Sequence, residues 1–358
     1  MRHLELFSGI GGFRRAMDLL TADNILDFQC VGFSEIDHRA KTTYLANYHL
    51  DPQEVDMGDI TTFTQNRENI YNLPDFDLLT GGFPCQTFSM MGNQAGFNED
   101  RGLMFFRIMD IVSVRRPRYI LLENVKNLRT HDKGRTFARI KQELEDLGYH
   151  VYSEIFNTAK FHLPQTRNRV LIFATTEQIP NNFEQTFTAD NVAALFDHVY
   201  QNLSVSHYLD TCEILEKEVP QKYYLSDRIK PTILADGSAN FKSKSDINQI
   251  IARPLTASMH KMHRACQDNY FSQDFIDSNG SINPVTTHTK SELAALPIRK
   301  ITPEEAFMLQ GFPADFASNG RRAGVSDGSL YKQAGNAVSV NVIYATLYFL
   351  IVNDIIHE

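Results

Sequence analysis

The chain has little cysteine, and what it has is scattered. Cys30, Cys85, Cys212 and Cys266 are its only cysteines, too widely spaced for a CxxC metal site or a dense disulfide framework. No apolar stretch approaches the roughly 18–20 residues needed to span a bilayer. Met1-Arg2-His3-Leu4-Glu5 carries no secretory pattern and runs straight into a strand. These absences point to a reduced, cytoplasmic compartment and no membrane. No internal repeat is found. Nor is there an excess of positive charge: the net charge of −8 argues against indiscriminate nucleic-acid binding but leaves room for a locally basic groove. At 358 residues, 42% hydrophobic and 22% charged, the chain reads as soluble and globular, with one large domain and a smaller second one.

What is present is organised around Gly81-Gly82-Phe83-Pro84-Cys85-Gln86-Thr87-Phe88-Ser89. The apolar run Phe76, Leu78, Leu79 reads as a buried strand that breaks at Gly81-Gly82, and Pro84 pre-orders the turn before the cysteine. A cysteine at the carboxyl end of a central strand sits where open α/β sheets place their chemistry. The loop that follows, from Phe88 to Arg101, has no clear period and suits a movable lid. A lone cysteine is more commonly a small buried hydrophobe, so the rest of the chain has to decide.

Leu4-Glu5-Leu6-Phe7 is a short strand ending in Ser8-Gly9-Ile10-Gly11-Gly12-Phe13, and a helix follows through Ala16, Met17, Leu19 and Leu20. Strand, glycine turn and helix is a nucleotide-cofactor arrangement. The spacing lacks the full GxGxxG fingerprint, so no pyrophosphate is indicated. Cys30 to Ser34 reads as a second strand ending at Glu35 and Asp37, where an acidic residue usually accepts from ribose hydroxyls. Gly58-Asp59-Ile60 places a third carboxylate in a turn, within reach of an adenine amino group. Each alone is a solvated strand end or a tight turn; in this order they favour a nucleoside cofactor. Further on, Met104, Phe105, Ile108, Met109, Ile111 and Val112 form a core-facing helix ended by Pro117. Tyr119-Ile120-Leu121-Leu122 is a buried strand ending in Glu123, a carboxylate costly to bury without a partner or a task. A helix ending at Gly148 leads to a strand from Tyr149 to Phe156. Alternation in Gln165-Thr166-Arg167-Asn168-Arg169 puts both guanidiniums on one face of an extended segment.

Taken together, the sequence resembles the DNA (cytosine-5)-methyltransferases, in the compact form of bacterial modification enzymes. The resemblance rests on Phe7-Ser8-Gly9-Ile10-Gly11-Gly12, Pro84-Cys85-Gln86, Glu123-Asn124-Val125 and Gln165-x-Arg167-x-Arg169. It continues in Arg299-Lys300-Ile301-Thr302-Pro303-Glu304 through Gln310-Gly311-Phe312-Pro313, and in Gly335-Asn336-Ala337-Val338. These motifs stand in the family's order along nearly the whole chain. Ile36 departs from the pattern, where relatives often carry an aromatic that packs on adenine.

The resemblance implies S-adenosyl-L-methionine as cofactor, held by Phe7, Gly9, Ile10, Gly12, Glu35, Ile36, Asp59, Ile60, Pro84, Asn336 and Ala337. It implies Cys85 as the nucleophile that adds to C6 of cytosine, a step that suits a thiolate. Glu123 would hold the N3 and N4 edge, and Arg169, with Arg167 directly or in support, would contact O2 and nearby groups. The target base must be flipped from the duplex, with Gln86, Ser89 and Gln94 near the vacated space. The fold implied is a doubly wound, Rossmann-like α/β sheet with an inserted smaller domain. Residues 1–180 plus 324–358 would form the catalytic and cofactor domain, and 181–323 the target-recognition domain.

Residues 180–323 have shorter apolar runs, more Ser, Asn, Asp and Lys, and tyrosines among their basic residues. Basic groups position phosphates while polar loop side chains read base edges. The segment Arg253 to Arg264 is the candidate DNA contact, through Arg253, Thr256, Lys261, His263 and Arg264, with a flavour of GGNCC- or GGWCC-type recognition. His260, His263 and Cys266 have metal-like spacing but no CxxC or HExxH context, and no metal is expected. The partner expected is double-stranded DNA, with the protein a monomer and a cognate restriction endonuclease encoded nearby. The rival readings are an RNA (tRNA) cytosine-5 methyltransferase, a silent DNA-binding regulator and a dinucleotide oxidoreductase. The first ranks second because no Cys-Phe-Thr tripeptide is present.

Overall fold

The computed structural model describes residues 1–84, 104–238, 241–261 and 266–358. Seven strands form one sheet: β1 (Arg2–Leu6), β2 (Gln29–Ser34), β3 (Val55–Asp56), β4 (Leu78–Gly82), β5 (Tyr119–Val125), β6 (His150–Asn157) and β7 (Asn168–Thr175). Their order is β3-β2-β1-β4-β5-β7-β6, parallel except that β7 runs antiparallel to both neighbours. The two sides of the sheet pack separate cores, so side chains alternate between them: Tyr119 and Leu121 face one, Ile120 and Leu122 the other. Burial on both sides explains the nearly continuous apolar runs.

Helix α1 (Gly12–Ala22) lies on the first side, burying Phe13, Ala16, Met17, Leu19 and Leu20 on one stripe. α2 (His38–Leu45) is capped by Asp37, and its Tyr44 joins the same core. The second side carries α3 (Ile60–Gln65), α4 (Arg67–Tyr71), α5 (Met104–Arg115) and α6 (Arg135–Asp146). α5 stops before Pro117, with Arg116 in the left-handed region. α6 ends as its glycine predicts: Gly148 has φ +81° and its N–H donates to Glu145 O at 2.8 Å. One expectation shifts. β4 continues through Gly81-Gly82 instead of breaking there. Gly81 presses on β1, where a Cβ would lie 3.0 Å from the Leu6 carbonyl oxygen.

The chain returns to the first side at its far end, where the helix Val340–Val352 is almost wholly buried against α1. The stretch Asp327–Val352 is apolar enough in composition to cross a membrane, but it is interrupted at Ala337 and mostly enclosed by protein. Within 181–323 the packing is divided. Phe183, Phe187, Val192 and Phe196 on one flank, and Phe307, Leu309, Phe312 and Phe316 on the other, belong to the large core. A separate small core is built from Leu225, Ile233, Leu234, Ile247, Tyr270, Leu293 and Ile298. At its border Arg299 and Glu305 form a buried bidentate pair at 2.7 and 2.9 Å, and Glu305 also accepts from Thr302 N and Glu216 N. Every oxygen there is satisfied, the condition under which a buried ion pair is tolerated.

Candidate active site and cofactor cleft

The carboxyl ends of β1, β2, β4 and β5 lie along one edge because these strands are parallel. After β1, Phe7, Gly9 and Gly11 have φ of 52°, 57° and 83°, and this left-handed run folds the chain back so that Gly11 N donates to Ser8 O at 2.7 Å. The glycines serve different neighbours. A Cβ on Gly11 would lie 2.4 Å from Tyr48 Cε2, and one on Gly12 2.4 Å from Val338 Cγ2, whereas Gly9 meets nothing within 4 Å. Gly11 and Gly12 therefore make room for the protein itself. Gly9 leaves open space of the kind a ligand fills.

Glu35 follows β2. Its Oε2 accepts from Gly9 N at 2.8 Å and its Oε1 from Asp37 N at 2.6 Å, so the carboxylate ties the glycine turn to the next strand end. Each oxygen keeps a second lone pair for a hydroxyl donor. Burial raises the Glu35 pKa, and the two N–H donors oppose that rise. Ile36 beside it is 67% exposed, an apolar surface at the rim of the turn. Asp59 caps α3, accepting from Thr61 N at 2.9 Å. Ile10 and Ile60 have buried side chains, which leaves their backbone for any ligand, and Phe7 packs partly into the core on the α3 side. The open space at Gly9 and again at Gly58, with the exposed Ile36 between acidic groups, fits a nucleoside-bearing cofactor.

Pro84 is exposed at the end of β4. The preceding Phe83 carbonyl accepts from Asn124 Nδ2 at 2.9 Å, so the residue after Glu123 ties down the chain just past the end of β4. Cys85, Gln86, Ser89 and Gln94 lie outside the described residues, as does the expected lid, and so do His263 and Arg264. Among the described residues no His, Cys, Asp and Glu group could hold a metal.

Glu123 sits opposite Gly82 on β4 and Leu171 on β7. Two residues back along β7, on the same face, Arg169 is its diagonal neighbour. Arg169 Nε lies 2.8 Å from Glu123 Oε1, an ion contact whose N–H is not well aligned with the oxygen. Burial raises the Glu123 pKa, opposed by Arg169 and then Arg167. The pair opens into a recess lined also by Phe156, Thr158, Val338 and Ser339.

Arg167 goes elsewhere. It precedes β7, in a turn, and is only 1% exposed. Its guanidinium donates to Leu255 O at 3.1 Å, Gly335 O at 3.2 Å and Ala337 O at 2.8 Å. Burial pulls its pKa down to about 9, helped by Arg169 and opposed by Glu123, which still leaves it charged near neutral pH. The two arginines thus take different partners: one meets Glu123, and the other ties three distant carbonyls together while still acting on Glu123 through its charge. Gln165 works beside it, accepting from Leu255 N and donating to Leu309 O, both at 2.9 Å.

Asn336 is exposed and Ala337 nearly buried where the C-terminal segment passes the glycine turn. Val338, Ser339, Thr158 and Gln310 complete this neighbourhood and were not singled out as site residues from sequence. Ser339 Oγ is 2.7 Å from Thr158 Oγ1 and 3.3 Å from Gln310 Oε1. Val338 and Gln310 belong to the Gly335-Asn336-Ala337-Val338 and Gln310-Gly311-Phe312-Pro313 motifs and Ser339 follows the first, whereas nothing in the sequence pointed to Thr158. Of the recognition candidates, Arg253 donates to Asp246 O at 2.8 Å, and the Thr256 backbone packs on Gly335. Lys261 is exposed.

A sheet in this strand order, with a glycine turn after its first strand and a buried carboxylate–guanidinium pair across its fifth and seventh, defines a Rossmann-like methyltransferase. The family profile described as C-5 cytosine-specific DNA methylase matches residues 1–351. The chain belongs to that family and is a DNA cytosine-5 methyltransferase. It is 38% identical to the type II methyltransferase M.SsoII of Shigella sonnei, over 96% of this chain and 78% of that one. It is 34% identical to M.HpaII of Haemophilus parainfluenzae, over 96% and 87%. Among solved structures, the S. pombe Dnmt2 methyltransferase aligns with a TM-score of 0.73 at 21% identity, covering 99% of each chain. The Entamoeba histolytica methyltransferase EhMeth gives 0.72 at 20% identity, covering 100% of this chain and 99% of that one. At these identities the structural likeness speaks for the fold alone.

Proposed function

We propose that the protein methylates C5 of a flipped cytosine in double-stranded DNA at a short specific site, with Cys85, Glu123 and Arg169 as its catalytic residues. The observation that carries this is the Glu123–Arg169 pair, buried beside the end of β4 and facing the same recess as the C-terminal segment. S-adenosyl-L-methionine, when bound, supplies an electrophilic methyl group. Phe7, Gly9, Glu35, Ile36, Asp59, Asn336 and the backbone of Ile10, Ile60 and Ala337 would hold it, and Pro84 and Gly12 would shape its surroundings.

The Cys85 thiolate adds to C6, and the displaced electron pair moves through the ring toward N3. Glu123 delivers its proton there, so no full charge accumulates on the base. Its burial-raised pKa suits that role, because the carboxyl keeps its proton to higher pH than an exposed one. Arg169 would meet O2, and its contact with Glu123 supports the carboxyl in position. Once C5 has gained its methyl it loses a proton to solvent, the C6–S bond breaks, and the N3 proton returns to Glu123. Arg167 supports this geometry from behind through its three carbonyls. Residues 181–323 would carry target recognition, through Lys261, His263 and Arg264 in the basic segment. The reading takes the protein as a cytoplasmic monomer paired with a cognate restriction endonuclease.

The test is incubation with S-adenosylmethionine and mixed-sequence duplex DNA, then bisulfite mapping of 5-methylcytosine, with Cys85→Ala as control. Methylation at one recurring short site, lost in the variant, is the expected result. Transfer to RNA cytosine in place of DNA, or activity retained by Cys85→Ala, would overturn the assignment.

A further inference from the structure

Val338 touches the two halves of the reaction at once. Its Cγ2 fills the space that a Cβ on Gly12 would need, at 2.4 Å, and its Cγ1 lies 3.7 Å from where a Cβ on Gly82 would be. That same Gly82 position is 3.6 Å from Glu123 Oε2, and Val338 lines the recess with Glu123 and Arg169. Gly12 has no left-handed φ, so its backbone does not demand glycine. The Val338 side chain does. The valine is itself held from both sides. Ala337 O accepts from Arg167 at 2.8 Å, Ser339 Oγ bonds Thr158 at 2.7 Å, and Val340 N donates to Gln310 O at 2.9 Å. A β-branched side chain on so constrained a backbone has a fixed χ1.

We propose that Val338 is a positioning residue, a wedge between the glycine turn after β1 and the Glu123 end of β5, that sets how far the methyl donor stands from the base Glu123 holds. This rests on the methyl-transfer reading above. A misplacement of about 1 Å between reacting groups costs on the order of 10²-fold in rate. Shrinking the wedge should therefore slow transfer of the methyl group more than it slows attack by Cys85 on C6.

Two readouts separate those steps. Single-turnover methylation at saturating S-adenosylmethionine and DNA reports the transfer. Release of tritium from [5-³H]cytosine with S-adenosylmethionine left out reports the earlier step, since methylation itself would also expel the triton: Cys85 adds at C6, Glu123 protonates N3, C5 takes a proton from water and loses the triton, and elimination restores the thiolate. Val338→Ala should raise the ratio of tritium exchange to methylation by roughly tenfold or more. Val338→Thr keeps the branched shape and should keep the wild-type ratio. Gly12→Ala should lose about 10²-fold in methylation, and Gly12→Ala combined with Val338→Ala should recover to the level of Val338→Ala alone, because the colliding methyl is gone. Thermal melts of each variant accompany the kinetics. If Gly12→Ala fails to fold, the double variant must regain both fold and activity. The proposal is overturned if Val338→Ala lowers exchange and methylation equally, if Val338→Thr raises the ratio, or if the double variant is no better than Gly12→Ala. Wild-type protein that shows neither exchange nor methylation on DNA would sink the functional reading instead.

Discussion

Arg167→Met tests whether the tie behind the active site has the energetic weight its geometry suggests. The wild-type guanidinium satisfies the carbonyls of Leu255, Gly335 and Ala337, all in buried surroundings. A buried acceptor left without its donor costs about 1–3 kcal/mol, so three would cost roughly 3–9 kcal/mol if nothing relaxed. Two terms oppose that. Methionine removes the penalty of burying a cation that hydrogen-bonds no carboxylate, and its apolar chain keeps much of the packing. We expect a net loss of about 2–4 kcal/mol. At an unfolding entropy of about 2.1 cal/mol/K per residue, a chain of this length should melt roughly 3–5 °C lower. Calorimetry with wild type and variant in the same buffer measures it. Methylation should fall as well, although Glu123 and Arg169 are untouched, because Ala337 and Val338 lose their anchor. A melting temperature within about 1 °C of wild type, or above it, would show that the desolvation cost of the guanidinium cancels its bonds, and the tie would be refuted.

Three further outcomes are expected. Gly335→Ala should lower the melting temperature, by about 1–3 kcal/mol in stability, because its Cβ would lie 2.3 Å from the backbone carbon of Thr256, which no rotamer change can relieve; an unchanged melt would contradict the packing. Glu123→Gln should leave the circular dichroism spectrum intact while lowering the methylation rate about 10²- to 10⁴-fold, and a rate near wild type would remove Glu123 from the mechanism. Glu5 concerns pH. It is wholly buried, and among the described residues its oxygens are reached by the long contacts from Arg14 N at 3.3 Å and Tyr44 OH at 3.4 Å, while the Arg14 guanidinium turns to Glu54 at 2.7 Å. Burial raises its pKa from 4.5 to about 8. A carboxyl raised on folding contributes stability that is full below its unfolded pKa and is lost as pH climbs through the folded value. Melts from pH 6 to 9 should therefore decline in wild type and be flatter in Glu5→Gln; parallel slopes would refute the assignment.

Much of the molecule was legible without coordinates, and the reasons are local. The strands at Leu4, Cys30, Leu78, Tyr119, Tyr149 and Val170 were marked by apolar runs that a sheet buried on both sides requires. Gly148 and Pro117 marked helix ends through their own backbone limits. The glycine turn and the acidic strand ends favoured a nucleoside cofactor through their local chemistry, and the ordered motifs carried the resemblance to the family.

What only the tertiary structure decided is which distant groups those residues meet. Alternation put Arg167 and Arg169 on one face, yet Arg167 precedes the strand, so its side chain is turned into the seam between Leu255 and the C-terminal segment. The Glu35 carboxylate binds the Gly9 and Asp37 amides and so shapes the turn as well as facing it. Gly12 is small because of Val338, and Gly335 because of Thr256, residues far along the chain from each. The packing of 181–323 divides inside that span, since both of its flanks bury their phenylalanines against the large core. The sequence by itself determined the elements and the turn chemistry, set by local backbone limits and burial patterns, and it pointed to the family through the resemblance of its ordered motifs. Folding decided the partners, because a contact between distant segments depends on how whole faces pack, and no local pattern encodes which residue will stand opposite.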